Sequence, residues 1–109
     1  MAELLGAFEQ AVLVAILRLG DGAYGRTILH QVQNSLARQV SAGSVYTTLD
    51  RLENRGLVRS KLADGTPVRG GRTRRYYVVA AGGVRALNDA HRTMTALWGS
   101  IQWPVKATR

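Results

Sequence analysis

The sequence predicts a mainly α-helical fold with one small β-hairpin, and three observations support this. Apolar residues recur at spacings of three and four in four segments, which is the period of an amphipathic helix. Two short segments rich in β-branched and aromatic residues flank a glycine-rich stretch, which is typical of a β-hairpin. The 109 residues contain no cysteine and no internal repeat, so one small domain without disulfides or thiolate metal sites is expected.

The first two helices are expected over residues 3–19 and from Tyr24 to Ala37. The first is apolar on two sides, which indicates burial on two sides, and Asp21-Gly22 ends it. The second directs Arg26, His30 and Gln33 away from the core. The helical spacing of the first helix is seen in Leu4, Leu5, Phe8, Val12, Ile16 and Leu19. The predicted core face of the second contains Ile28, Leu29, Val32 and Leu36.

The third helix occupies the stretch SAGSVYTTLDRLENRG, residues 41–56. Ser41 can accept a hydrogen bond from the N–H of residue 43 or 44, and Gly56 can end the helix in a left-handed conformation. At 100° per residue the helix has one apolar and one polar face. The apolar stripe contains Ala42, Val45, Leu49 and Leu52, and the polar face contains Ser44, Thr47, Arg51 and Asn54.

Two strands, residues 57–62 and 74–79, follow with the loop ADGTPVRGGRT between them. The last helix is expected over residues 81–102, because Pro104 prevents a longer one. Its apolar residues repeat every seven positions and predict a seam that packs against a partner. The two rows of this seam are Leu87, Met94 and Ile101, and Val84, His91 and Trp98.

Three helices followed by a hairpin with a basic tip form the plan of a winged helix-turn-helix, whose third helix is the recognition helix. Residues 1–80 would be the DNA-binding part and residues 81–109 a C-terminal dimerisation helix, together one compact unit. The net charge is +8, and eight basic and only two acidic residues fall between Arg51 and Arg75. Since phosphates dominate affinity for nucleic acid, this segment is expected to face DNA.

Other classes of function fit less well. The longest apolar run, residues 11–17, is too short to cross a membrane, and the acidic N-terminus does not resemble a signal peptide, so a cytoplasmic protein is expected. His30 and His91 have no metal-ligand neighbour at helical or hairpin spacing, and the seven acidic residues form no plausible catalytic pair. An enzyme, a bound metal and a cofactor are therefore not expected.

Several segments resemble the PadR family of transcriptional regulators, and they cover residues 4 to 87. They are LLGAFEQAVLVAIL (4–17), YGRTIL (24–29), GSVYTTLDRLENRGLV (43–58) and GGRTRRYYVV (70–79), with Gly83 and Ala86-Leu87. The resemblance implies a homodimeric DNA-binding repressor of the compact subgroup, whose C-terminal helix packs against the partner's first helix. Some compact members bind flat hydrophobic effectors between the subunits. Thr47 and Ala80 depart from the family, which often has proline and threonine there; without a threonine cap the last helix loses about 1 kcal/mol.

Candidate functional residues follow from both lines of reasoning. Ser44, Tyr46, Thr47 and Arg51 are predicted to enter or flank the major groove, and Arg69, Arg72 and Arg74 to hold the DNA backbone or minor groove. Tyr46 could instead serve only in the core. The predicted dimer interface contains Leu87, Met94, Leu97, Trp98 and Ile101.

Alternatives remain open for the whole chain and for Trp98. The fold could serve as a protein-interaction module, or it could bind nucleic acid without sequence preference. Trp98 could stack on a planar hydrophobic effector, or it could only pack in the dimer interface.

Overall fold

The computed structural model describes residues 4–63 and 74–108 and has the predicted mainly helical fold with a two-stranded antiparallel hairpin. The predicted loop arginines Arg69 and Arg72 lie outside the described residues. A short 3₁₀ turn, Gly20–Gly22, separates the first two helices. In chain order the elements are α1 (Ala7–Leu19), α2 (Gly25–Leu36), α3 (Ala42–Asn54), β1 (Val58–Leu62), β2 (Arg75–Val79) and α4 (Ala81–Trp98).

Both ends of α3 are set by local hydrogen bonds, as predicted. The Ser41 Oγ accepts from the backbone N–H of Ser44 at 3.0 Å. At the other end Gly56 has a φ of +75°, where a side chain would be strained. The N–H groups of Leu57 and Gly56 donate to the carbonyl oxygens of Leu52 and Glu53, both at 2.9 Å, which is a Schellman motif.

The hairpin gains a third strand-like segment from the chain that precedes α2. β1 and β2 pair with Val58 opposite Val79 and Leu62 opposite Arg75. On the other edge of β2, the Tyr77 N–H donates to the Ala23 carbonyl at 2.9 Å. Tyr24 and Tyr76 form an isolated bridge there. This hairpin of β1 and β2, the wing, is thereby attached directly to the start of α2.

One core joins the first three helices to the hairpin. Five side chains at its centre are fully buried: Leu13, Ile28, Val45, Leu49 and Leu52. The prediction that Ala42 belongs to the buried stripe of α3 is wrong, because Ala42 is exposed and Thr48 is buried instead. Ala42 is the first residue of α3.

The predicted start of α1 at residue 3 is also wrong, since the helix begins at Ala7. The Glu9 Oε1 accepts from the Gly6 N–H at 2.9 Å, so the carboxylate satisfies a backbone donor at the helix start. Leu5 precedes the helix but is still buried in the core. Its apolar side chain extended the helical pattern in the sequence without belonging to the helix.

The helix α4 ends at Trp98 rather than at residue 102. Gly99 has a φ of +52°, and its N–H donates to the Thr95 carbonyl at 3.0 Å. The prediction that Ile101 continues the helical seam is therefore wrong: Ile101 follows the helix end. Glycine loses more backbone entropy in a helix than other residues, which makes it the natural stopping point.

Only the first half of α4 packs on the rest of the molecule. A Cβ atom at Gly83 would overlap the Leu57 carbonyl oxygen, so the start of the helix lies directly against the residue that precedes β1. Ala90 is the last buried residue of the helix. The radius of gyration is 16.4 Å, whereas about 13 Å is usual for a compact chain of this length. The remainder of α4 projects away from the body.

Candidate nucleic-acid interface

The polar face of α3 lies on the surface of the molecule. Ser44, Thr47, Arg51 and Asn54 are all exposed, while Val45 and Leu49 are buried on the opposite face. An open groove of about 760 Å³ runs along the N-terminal half of this face. It is lined by Phe8, Arg38, Gln39, Val40, Ser41, Gly43, Ser44, Thr47, Thr48 and Arg51.

Arg38 is a basic residue of this groove that sequence reasoning missed. It lies in the turn between α2 and α3, after Ala37, whose φ of 54° is left-handed. Gln33 fixes this turn: its carbonyl accepts from the Arg38 N–H at 3.3 Å, and its side chain accepts from the Val40 N–H at 3.2 Å. Its position, a basic residue in the turn of a predicted helix-turn-helix, could have indicated that it lies beside the recognition helix.

Tyr46 belongs to α3, and its side chain packs against the start of α2. Its side chain is 49% exposed, and its ring lies directly over Gly25, the first residue of α2. A Cβ atom at position 25 would overlap the Tyr46 ring and hydroxyl, so glycine is required for this contact. The hydroxyl of Tyr46 is thus held beside the N-terminus of α2, where anions are favoured.

Arg74 lies just before β2, at the loop end of the hairpin, and stacks on an aromatic ring. Its guanidinium carbon lies 4.3 Å from the centre of the Tyr24 ring, which is cation–π geometry. The Tyr24 ring in turn meets Tyr76 edge to face, with centroids 5.5 Å apart and an interplanar angle of 69°. The backbone of Arg74 is fixed as well, because its carbonyl accepts from the Ala63 N–H at 2.8 Å.

A polar network joins the end of α3 to the hairpin. The Ser60 hydroxyl donates to Glu53 Oε2 at 2.6 Å and accepts from Arg75 Nη1 at 2.9 Å. Next to it, burial raises the pKa of the Tyr77 hydroxyl above its ordinary value, and the Arg75 charge opposes this shift only in part. Tyr77 is therefore a neutral structural residue at neutral pH.

An ion pair connects α1 to the end of α3. Arg55 Nη1 lies 3.1 Å from Glu9 Oε2, and both side chains are partly buried. The charge of Arg55 is thus neutralised within the body and is less able to attract DNA. Of the described basic residues of the basic segment identified in the sequence, Arg74 is half-buried and the others are exposed: Arg51, Arg55, Arg59, Lys61 and Arg75.

The predicted dimer residues do not all have the same surroundings. Leu87 is half-buried against the core of the body, and Trp98 is half-buried near the end of α4. Met94 is 49% exposed, Leu97 74% and Ile101 61%. Trp98 lines two shallow cavities, of about 370 and 300 Å³, whose other walls include Met94, Leu97 and Ile101.

Other kinds of site find no support in the part of the chain that the structure describes. His30 and His91 lie on different helices and are both exposed. No three His, Cys, Asp or Glu side chains in residues 4–63 and 74–108 come close enough together to bind a metal ion. None of the described helices is long and apolar enough to cross a membrane.

Comparison with known proteins places this geometry in a family. Residues 13–89 match the model of the Transcriptional regulator PadR-like family. No curated protein sequence matches the chain.

Solved structures agree with the family match. A PadR family transcriptional regulator from Eggerthella lenta is 26% identical with a TM-score of 0.62, and the match covers 79% of this chain and 72% of that one. RosR from H. salinarum is 25% identical with a TM-score of 0.66, covering 90% and 81%. A PadR-like regulator from Bacillus cereus, 23% identical with a TM-score of 0.67 and 84% of each chain covered, has the same fold. The family match spans most of the chain and includes the whole helix-turn-helix and wing: the chain belongs to the Transcriptional regulator PadR-like family.

Proposed function

We propose that the chain is a homodimeric, sequence-specific DNA-binding repressor that a planar hydrophobic effector releases from its operator. One observation carries the DNA-binding part of the proposal. Arg74 stacks on Tyr24, the next residue is Gly25, and Tyr46 of α3 covers Gly25. This row of contacts links the loop end of the hairpin to the recognition helix across the N-terminus of α2, so both parts can meet one DNA duplex together.

The residues of this surface have distinct roles in the proposal. Ser44, Thr47 and Arg51 enter the major groove, where small hydroxyls allow close approach and arginine can bind guanine in a bidentate manner. Tyr46 and Arg74 contact phosphates beside them. Arg69 and Arg72, outside the described residues, are assigned to the DNA backbone or minor groove from the sequence alone.

The homodimer is supported by the apolar surface of α4 and the chain after it. Residues 91–97 contain no buried side chain, although Met94 and Leu97 are among them. Leu17 on α1 is also 54% exposed, beside an open cavity that Leu87 and His91 of α4 line. A second subunit that covers both surfaces would remove this apolar area from water. Leu87, Met94, Leu97, Trp98 and Ile101 remain the proposed interface residues, with Ile101 contributed by the chain after the helix.

The effector part of the proposal rests on Trp98. In a two-fold dimer that pairs the ends of α4, two copies of the indole and of its shallow cavities face each other, and a planar ring can stack between them. Such a ligand relieves repression only if it binds one spacing of the recognition helices better than another. The proposal assigns no catalysis, no metal and no cofactor to the chain, and it places its action in the cytoplasm.

The test combines binding-site selection with a measurement of mass. Purified protein is used to select fragments from random DNA, and the enriched duplex is compared with a shuffled one in mobility-shift titrations. A dimer that reads the major groove should enrich an inverted repeat with half-site centres about 10 base pairs, or one helical turn, apart. Sedimentation at micromolar concentration should give the mass of two chains.

Each alternative has its own outcome. Equal affinity for the selected and shuffled duplexes would identify a non-specific nucleic-acid binder and overturn sequence-specific regulation. Undetectable DNA binding at low salt would favour a protein-interaction module. A monomeric mass would overturn the homodimer and, with it, the expected two-fold symmetry of the operator.

A further inference from the structure

Three arginines at the two ends of the hairpin are held in three different ways. Arg55 gives an N–H group to Glu9, and Arg75 gives one to the Ser60 hydroxyl. Arg74 instead lies over the Tyr24 ring, and no carboxylate of residues 4–63 and 74–108 pairs with it. Of these three, Arg74 alone is fixed by the face of its guanidinium rather than by a hydrogen bond of the side chain.

This difference determines what the side chain can still bind. The N–H groups of a guanidinium point outward in its own plane, whereas stacking uses the two faces. An arginine on a tyrosine ring therefore keeps its donors for another acceptor, while an arginine in an ion pair gives some of them up. Stacking also limits the rotamers of a long side chain, so less entropy remains to be lost when a ligand binds.

The ring under Arg74 is itself firmly placed. Tyr24 is the residue that precedes α2, and its N–H donates to the Thr27 hydroxyl at 3.0 Å. Its backbone pairs with Tyr76, and its ring meets the Tyr76 ring edge to face. The platform is thus attached both to the helix-turn-helix and to the wing.

We propose that Tyr24 is a positioning residue for DNA binding, which holds the Arg74 guanidinium ready to receive a backbone phosphate. Tyr24 need not touch DNA; it acts through Arg74 and aligns the wing with the recognition helix. The inference rests on the proposed function, because it requires that Arg74 contacts DNA.

The experiment is a double-mutant cycle measured by DNA binding over a range of salt concentrations. The variants are Tyr24→Leu, Tyr24→Phe, Arg74→Ala and the double variant Tyr24→Leu/Arg74→Ala. The probes are the selected operator and a shuffled duplex. Thermal unfolding of each variant in the absence of DNA shows whether the fold is retained, and Tyr24→Phe keeps the ring if Tyr24→Leu is destabilised.

The salt dependence separates the roles of the two residues. Arg74→Ala should weaken binding to both duplexes and lower the slope of log affinity against log salt by about 1, since one phosphate contact is lost. Tyr24→Leu should weaken binding to both by about two- to fivefold, the strength of an exposed cation–π pair. It should leave the slope nearly unchanged, since Arg74 keeps its charge. Tyr24→Phe should bind like the wild type.

The double variant supplies the decisive comparison. If Tyr24 acts through Arg74, Tyr24→Leu should cause no further loss once Arg74 is alanine. An additional two- to fivefold loss in that background would show that Tyr24 acts on the fold or on DNA directly, and would overturn the inference. Full affinity in Tyr24→Leu would overturn it as well. Wild-type affinity in Arg74→Ala would refute the phosphate contact itself, and absence of binding by the wild type would refute the proposed function.

Discussion

The body of the molecule and the segment that projects from it bury apolar side chains to very different degrees. The body, residues 7–63 and 74–90, has a closed core in which eight large side chains are fully buried. Its described residues contain no buried side-chain nitrogen or oxygen without a hydrogen-bond partner. The projecting segment, residues 91–105, contains no buried residue. Even its large apolar side chains are exposed, Leu97 to 74% and Trp103 to 81%.

The contrast separates two sources of stability. The body has a core that is closed within one chain, although Leu17 on its surface is 54% exposed and belongs to the area that the proposed partner covers. The projecting segment has the composition of an interface but has no partner in one subunit. Apolar area on this segment leaves water only when a second chain binds, so the stability gained there should depend on protein concentration. The stability that comes from the closed core of the body should not.

Charges on the projecting segment should have the largest effect. In the double variant Met94→Glu/Leu97→Glu, each dimer would have to bury four carboxylates that have no partner, at several kcal/mol in total. Sedimentation at micromolar concentration should therefore give monomer, with loss of binding to the inverted repeat. The helical content of the body should be retained in circular dichroism.

The matched control is Ala96→Glu on the same helix. Ala96 is exposed and lies about 160° around the helix from Met94, on the face away from the proposed seam. A dimer that tolerates Met94→Glu/Leu97→Glu but not Ala96→Glu would mean that another face of α4 forms the interface.

A leucine removed from each region should show the next largest effect. Leu49→Ala leaves a cavity in the core of the body and should cost about 2–5 kcal/mol of the free energy of unfolding. Leu97→Ala removes the same atoms from a surface that is buried only by a partner. Urea denaturation at two protein concentrations tests this: Leu49→Ala should lower the midpoint at both, and Leu97→Ala should reduce mainly its dependence on concentration. If both variants lowered the midpoint equally at both concentrations, Leu97 would be stabilised within one subunit, as Leu49 is, and the proposed difference between the regions would be wrong.

The sequence was most informative where local hydrogen bonds set the structure. Ser41 and Gly56 mark the ends of α3 correctly, because a cap and a left-handed glycine act within a few residues of themselves. The end of α4 was misplaced for a related reason. The seven-residue apolar pattern continues to Ile101, so the helix was predicted to continue past Gly99, where it ends. Apolar residues that follow a helix can lie on the same surface as residues of the helix.

The candidate site was harder to predict, because contacts between distant segments form it. The exposed face of α3 follows from periodicity alone. That Arg74 meets Tyr24, fifty positions earlier in the chain, depends on how β2 pairs with the segment before α2. Arg38 was missed because its position in the groove beside α3 depends on how the turn between α2 and α3 folds.

Within the body, Arg51→Ala should distinguish sequence recognition from phosphate binding. If Arg51 reads a guanine, the variant should lose about 1–3 kcal/mol on the selected operator and much less on a shuffled duplex. Arg92→Ala is the matched control, because Arg92 pairs with the neighbouring Asp89 on α4, far from the recognition helix in the chain. Mobility-shift titrations at fixed salt measure both. Equal losses on both duplexes for Arg51→Ala would show that it contacts only the backbone.

The smallest expected effect concerns Trp98, the residue of the projecting segment at which we propose that an effector binds. Stacking of a planar ring between two indoles adds about 0.5–1.5 kcal/mol to what area burial supplies, so planar cationic dyes should bind with micromolar affinity and low selectivity. They should quench the tryptophan fluorescence of the wild type and of Trp103→Ala but much less that of Trp98→Ala, because Trp98 lines both cavities, whereas Trp103, which is 81% exposed, lines only one of them. The same dyes should weaken binding to the inverted repeat in the first two proteins only. Equal quenching in all three, or quenching with unchanged DNA affinity, would make Trp98 an interface residue like Leu97, and the projecting segment would then serve dimerisation alone.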